Sequence, residues 1–359
     1  MQCGQSSDKR ILGFDGLRAI AFVLVFISHK YPNHLTEAMG TSGLWLFFVL
    51  SGFLITRNLA SLRAGIESGL HTFRGALKDF YIRRTARIFP AFYALLLVAT
   101  LLATAGYLDL GPMGRQISNA LFVSNIYIEQ HGWVGALGHL WSLAVEEQFY
   151  VLFAPLVLLT RTANLKRLCV ALLTASLVAH AYHWSSPARA VVFDVDSFFN
   201  FGLLAIGGLA GLSANAPLPR FLTSETAMAL NLLVLPAIPV LVVATTSTLV
   251  WLLMGQLVSV LYALLLLQVF QRQSSRSVSL LNTPSLRYVG LVSYGAYLYH
   301  LMILQGLAEL LHLQLMQRSV STVIEFALTI VISAASYRWL ENPIRTLARP
   351  RKALEPASP

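Results

Sequence analysis

This chain is short of charge. Only 12% of its residues are Asp, Glu, Lys or Arg, against about 25% in a soluble domain. The other side of that deficit is 56% hydrophobic residues, gathered in long apolar runs between short basic loops, which excludes an ordinary soluble fold. The runs are continuous, not alternating, and exceed the roughly ten-residue strands of a membrane barrel. Cysteine is nearly absent: Cys3 and Cys169 are the only two, too few for a disulfide framework or a cysteine metal site. The chain has no Walker phosphate loop, dinucleotide glycine motif, HExxH or GxSxG elbow, so these routes to NTP, hydride, zinc or serine chemistry have no footing. His29, His34, His139 and His300 fall in different segments, and no metal site is expected. There is no internal repeat, which weighs against a transporter built from duplicated halves. No cleavable-signal pattern precedes the first apolar run, which is expected to remain as a helix.

What is present reads as an all-α, polytopic membrane helical bundle. Windows of about 19 residues place candidate spans near 11–29, 43–60, 88–108, 139–160, 168–184, 198–213, 225–245, 248–270, 289–311 and 320–340. Ten helices put both termini on one side. Residues 116–128 are too short and polar to cross and are expected to be interfacial or re-entrant. Basic residues crowd the side of the termini, and only Lys30, Arg115, Arg189 and Arg318 fall on the other. Positive loops stay inside, so both termini are expected to be cytoplasmic. That asymmetry also explains the net charge of +10 without nucleic acid. The expected division is a cytoplasmic tail at 1–10, a membrane domain at 11–345 and a basic cytoplasmic tail at 346–359.

Several segments carry ionisable side chains where membrane helices seldom tolerate them. Arg18 and His29 lie eleven residues apart in the first apolar run, about three turns or roughly 16 Å of rise on one helix face. They are either a polar track across the membrane or a snorkelling arginine with an interfacial histidine. Arg83, Arg84 and Arg87 close a loop expected at 61–87. Arginines near a helix N-terminus suit a phosphate, and equally suit anchoring against acidic lipid. HLWSLAVEEQFY at 139–150 places Glu146 and Glu147 about two turns into a span, with His139, Trp141 and Ser142 nearby. These carboxylates tune a histidine, act as a base or pair with a buried arginine such as Arg18. Ser51-Gly52 reads as a small-residue packing site. Tyr294, Tyr297, Tyr299 and His300 bring hydroxyls and an imidazole to mid-span, and YRWLENPIR at 337–345 reads as an interfacial belt with Trp339 and Arg345.

Taken in order, these pieces resemble acyltransferase family 3, the integral-membrane O-acyltransferases typified by bacterial O-antigen and exopolysaccharide acetylases. The resemblance rests on FDGLRAIAFVLVFISH with its Arg-x10-His, FFVLSGFLIT, RRTARIFPAFY, HLWSLAVEEQFY, SYGAYLYH and WLENPIR, from residue 14 to residue 345. It implies a ten-helix core in a bacterial inner membrane. It also implies transfer of an acyl group, most often acetyl, from cytoplasmic acyl-CoA as co-substrate to a hydroxyl acceptor, commonly a sugar at the outer face. On that resemblance His29 is the general base, Glu146 orients it and Arg18 positions the donor. Arg83, Arg84 and Arg87 take the phosphates of acetyl-CoA. Trp141, Ser142, Glu147, Tyr299 and His300 are expected to line the substrate. An acyl-histidine route is the second mechanism. A small-molecule acceptor such as a macrolide is the second acceptor class, and a membrane transporter is the competing function.

Overall fold

A computed structural model describes residues 10–133, 135–184, 195–238 and 248–348. Apart from Arg10 and residues 346–348, the two expected tails lie outside the described residues, as do residues 185–194 of the expected 185–197 loop and residues 239–245 of one expected span. Every regular element among the described residues is helical.

The helices are α1 (Phe14–Lys30), α2 (His34–Glu67), α3 (Phe73–Thr104), α4 (Met113–Ala120), α5 (Ser124–His131), α6 (Leu140–Leu159), α7 (Leu165–Trp184), α8 (Ser197–Ser213), α9 (Glu225–Val234) and α10 (Thr248–Gln271). They continue with α11 (Arg276–Leu281), α12 (Pro284–Leu291), α13 (Ser293–Met302), α14 (Arg318–Ser336) and α15 (Asn342–Leu347). Local sequence sets several of their starts. Asn33 accepts from the Leu35 and Thr36 amides while the Thr36 hydroxyl accepts from the Asn33 amide, a capping box that begins α2 well before its apolar run. Thr72 caps α3 through the Gly75 amide at 3.1 Å.

These caps correct the expected loop at 61–87. α2 runs on to Glu67 and α3 begins at Phe73, so the connection is short. Arg83, Arg84 and Arg87 therefore sit inside a 32-residue helix, ahead of its internal Pro90, and not at a helix N-terminus. Polar side chains hid this extension, because a hydropathy window reads the apolar half of a helix and stops.

Six helices among the described residues are long and apolar enough to cross a membrane, against the ten expected. α1 and α8 have 17 residues each, just under the roughly 20 of a straight crossing. The expected span at 289–311 is broken after Leu291 and again by a π-helical turn at Ile303–Leu307. The segment at 116–128 folds as the two short helices α4 and α5, which pack on α6.

α2 forms the spine, packed along α1 and α8, with α6 and α10 against it. Backbone meets backbone at these crossings: a Cβ on Gly52 would lie 2.0 Å from the Leu204 carbonyl oxygen, and one on Gly16 2.0 Å from that of Leu281. The burial pattern of α14 is inverted relative to a soluble helix. Ser321, Glu325, Thr329 and Ser333 are buried while Val320, Val323 and Val331 are exposed. Apolar side chains out and hydroxyls in is what lipid around the bundle demands. The chain is an integral multi-pass membrane protein.

Candidate active site

Three histidines from distant parts of the sequence meet where α1 ends. His300 of α13 is fully buried, His139 before α6 is nearly so, and His29 of α1 is exposed. The His300 Nδ1 lies 2.6 Å from the Tyr297 carbonyl oxygen, which can only accept, so Nδ1 carries the hydrogen. In the neutral ring this leaves Nε2 as an acceptor, and it lies 3.0 Å from the His29 Nδ1. The His29 hydrogen is thereby placed on Nδ1, and its Nε2 is a bare lone pair on the one accessible imidazole of the three. The same logic applies to His139. Its Nε2 donates to the Leu298 carbonyl at 3.1 Å, and its buried Nδ1 has no hydrogen-bond partner. The His139 and His300 rings meet edge to face, centroids 4.8 Å apart.

The partner expected for His29 is corrected here. Glu146 does not touch it: its Oε1 accepts from the Ser51 hydroxyl at 2.7 Å and its Oε2 from the Tyr150 hydroxyl at 2.8 Å. The side chain on His29 is His300, and the Val25 carbonyl one turn earlier on α1 also accepts from the ring. Ser142 binds the Tyr297 hydroxyl at 2.6 Å and donates to the His139 carbonyl, Trp141 packs against Phe48, and Tyr299 bonds to Ser336 at 2.8 Å. These three side chains are turned into the protein.

Beside His29, Lys30 forms an ion pair with Glu325 at 2.5 Å and donates to Ser321. Below Glu325 the Thr329 and Ser333 hydroxyls bond back to carbonyls one turn earlier, at 2.7 and 2.6 Å. Ser336 links onward to Tyr299 and Glu341. α14 thus supplies a buried polar stripe that sequence reading missed. The signal was a hydroxyl or carboxylate at every fourth position from Ser321 to Ser333, hidden because serine and threonine barely lower hydropathy. We expect Glu325→Ala to cost about 3 kcal/mol by stranding the Lys30 charge, and Lys30→Met with Glu325→Leu to recover most of it. Thermal unfolding in detergent checks this; equal losses in the single and double variants would show that the pair does not matter.

At the other end of α1 the arginines gather. Arg18 donates to Asp15 at 3.1 Å, and Arg10 pairs with the other oxygen of the same carboxylate. The Arg84 guanidinium lies 4.6 Å over the Tyr150 ring, within electrostatic reach of Glu147. Arg87 lies within reach of Arg18, Arg84 and Arg345. Among the described residues neither Arg84, Arg87 nor Arg345 forms an ion pair, and one buried Glu147 oxygen has no hydrogen-bond partner. Arg345, read from sequence as interfacial, belongs to this group. Arg83, on the same helix, has no hydrogen bond or ion pair among the described residues. A group of guanidiniums without matching contacts invites an anion with several acceptor oxygens.

The family described as an acyltransferase domain matches residues 11–338, and the chain belongs to that family. It is 29% identical over 367 residues to the "Putative O-acetyltransferase SACOL0978" of Staphylococcus aureus (strain COL), covering 94% of this chain and 58% of that one. It is 28% identical over 371 residues to the peptidoglycan O-acetyltransferase OatA of Listeria monocytogenes serovar 1/2a (strain ATCC BAA-679 / EGD-e), covering 94% and 56%. The chain therefore spans a little over half the length of the curated relatives it matches. No solved structure matches it significantly.

Proposed function

We propose that this protein carries an acetyl group from cytoplasmic acetyl-CoA to a carbohydrate hydroxyl at the far side of a bacterial inner membrane. The observation that carries the reading is the histidine relay. It leaves the His29 Nε2 bare and accessible at one end of α1, with the arginine group at the other end, roughly 16 Å away along the helix. The relatives named as O-acetyltransferases support the reaction class, and the one named for peptidoglycan supports a glycan acceptor.

The step needs no metal and balances as follows. The acceptor hydroxyl gives its proton to the His29 Nε2 as its oxygen attacks the thioester carbonyl carbon. The C–O bond forms, the tetrahedral centre collapses, and the C–S bond breaks. The CoA sulfur leaves with the electron pair and takes the proton back from His29. His300 acts through His29 by holding its hydrogen on Nδ1, the role sequence reading gave to Glu146. Arg18, Arg84, Arg87 and Arg345 hold the phosphates of the donor, and Asp15 fixes Arg18.

Arg84→Ala and Arg87→Ala are each expected to raise the acetyl-CoA KM about tenfold or more, the worth of one charged hydrogen bond, with a smaller fall in kcat. Initial rates across donor concentrations test this. A large fall in kcat at unchanged KM would refute a docking role.

A further inference from the structure

An open space lies at the end of the bundle where α3 finishes. It is a cleft of about 420 Å³ lined by Tyr107, Asp109, Gly135, Ala136, Gln305 and Glu309, among others. Its polar heads have capacity to spare. Asp109 uses one carboxylate oxygen on the Gly111 amide at 2.8 Å, while the Gln305 and Glu309 side chains are exposed and make no hydrogen bond among the described residues. No lysine or arginine lines the cleft.

Its walls are the outward extensions of the segments that carry the buried histidines. Gln305 lies five residues beyond His300, roughly 7.5 Å of helical rise, inside the π-turn at Ile303–Leu307 that continues the His300 helix. Such single-turn widenings recur at functional sites. On the other wall, Gly135 and Ala136 come just before His139. Gly135 sits at φ 69° with its Cα pressed on the Leu110–Gly111 backbone, where a Cβ would meet Gly111 N at 2.6 Å. Leu137 adopts φ 64°, a conformation that leucine takes only when its surroundings force it. The Ala136 amide donates to the Asp109 carbonyl at 2.6 Å, fixing this wall to the loop after α3.

Two carboxylates, an amide and a tyrosine without an opposing cation make a set that accepts hydrogen bonds from hydroxyls and repels anions. We propose that this cleft is the acceptor site, built for a sugar residue that is neutral or amine-bearing and carries no free carboxylate or phosphate. This rests on the acyl-transfer reading above. Bound there, the sugar presents one hydroxyl inward to the His29 Nε2 while Asp109, Gln305 and Glu309 hold the others.

The test uses cells producing the full chain, with base-labile acetate on envelope glycan measured beside the acetyl-CoA Kd of each purified protein. Gln305→Ala with Glu309→Ala is expected to lower glycan acetate at least about tenfold, with the acetyl-CoA Kd held within about twofold. Mass spectrometry should place the acetyl groups on sugar residues without acid groups. If the double variant does not reach the membrane, Gln305→Ala and Asp109→Asn singly carry the same expectation. Undiminished acetate in the cleft variants, lost in His29→Ala, would overturn the cleft and leave the function standing. Acetyl groups on acidic sugar residues, or a donor Kd weakened as much as transfer, would also overturn it. Equal glycan acetate in wild type and His29→Ala cells would overturn the functional reading, and the cleft with it.

Discussion

Alanine in place of His29 is expected to lower acetyl transfer by about 10³-fold, within the range that a positioned general base supplies, while acetyl-CoA still binds. The size of the effect follows from geometry. Of the three clustered imidazoles only His29 is exposed, and only its Nε2 combines a lone pair with access. His139 also has a bare nitrogen, but it is buried. Added imidazole should restore part of the rate, since the lost group is a base and not a packing element. Rates with and without imidazole, beside acetyl-CoA binding by calorimetry, separate the cases. Full activity in folded His29→Ala protein would remove His29 from the mechanism.

The second large effect is at His300, a positioning residue that touches no substrate. His300→Leu keeps the volume but removes the side-chain acceptor on the His29 Nδ1, leaving only the Val25 carbonyl, and should lower kcat about 10²-fold through loss of the fixed tautomer, with little change in donor KM. His300→Gln is the discriminating variant. Its side-chain oxygen can reach the place now held by the His300 Nε2 and accept from the His29 Nδ1, so it should recover much of the loss. A purely structural role predicts that activity follows thermal stability in both variants. Equal kcat in the leucine and glutamine variants, at equal stability, would contradict the relay.

Much of the fold was legible because apolar runs and helices coincide in α6, α7, α8 and α10. Where they part company, reading failed. The first half of α3 is polar and still helical, so hydropathy places Arg83, Arg84 and Arg87 in a loop although Thr72 caps the helix about three turns earlier. The expected span at 289–311 is one apolar stretch in sequence but turns after Leu291 and widens at Ile303, neither of which hydropathy records. In the site, Arg18, His29 and the adjacent glutamates stood out because charge in a membrane helix is costly. Their partners did not, because partners come from packing: Glu146 meets Ser51, 95 residues away, and His29 meets His300, 271 residues away. A helix face can be read from spacing, but the choice of which faces meet belongs to the bundle.

Transfer across the membrane is tested most directly by a sidedness experiment. Protein in sealed liposomes is given acetyl-labelled acetyl-CoA on the side of its termini and envelope glycan on the other. Base-labile label on the glycan, dependent on wild-type protein and lost with His29→Ala, is the predicted result. Label that stays with the donor under wild-type protein, or reaches the glycan equally with His29→Ala, would contradict transfer across the membrane by this histidine.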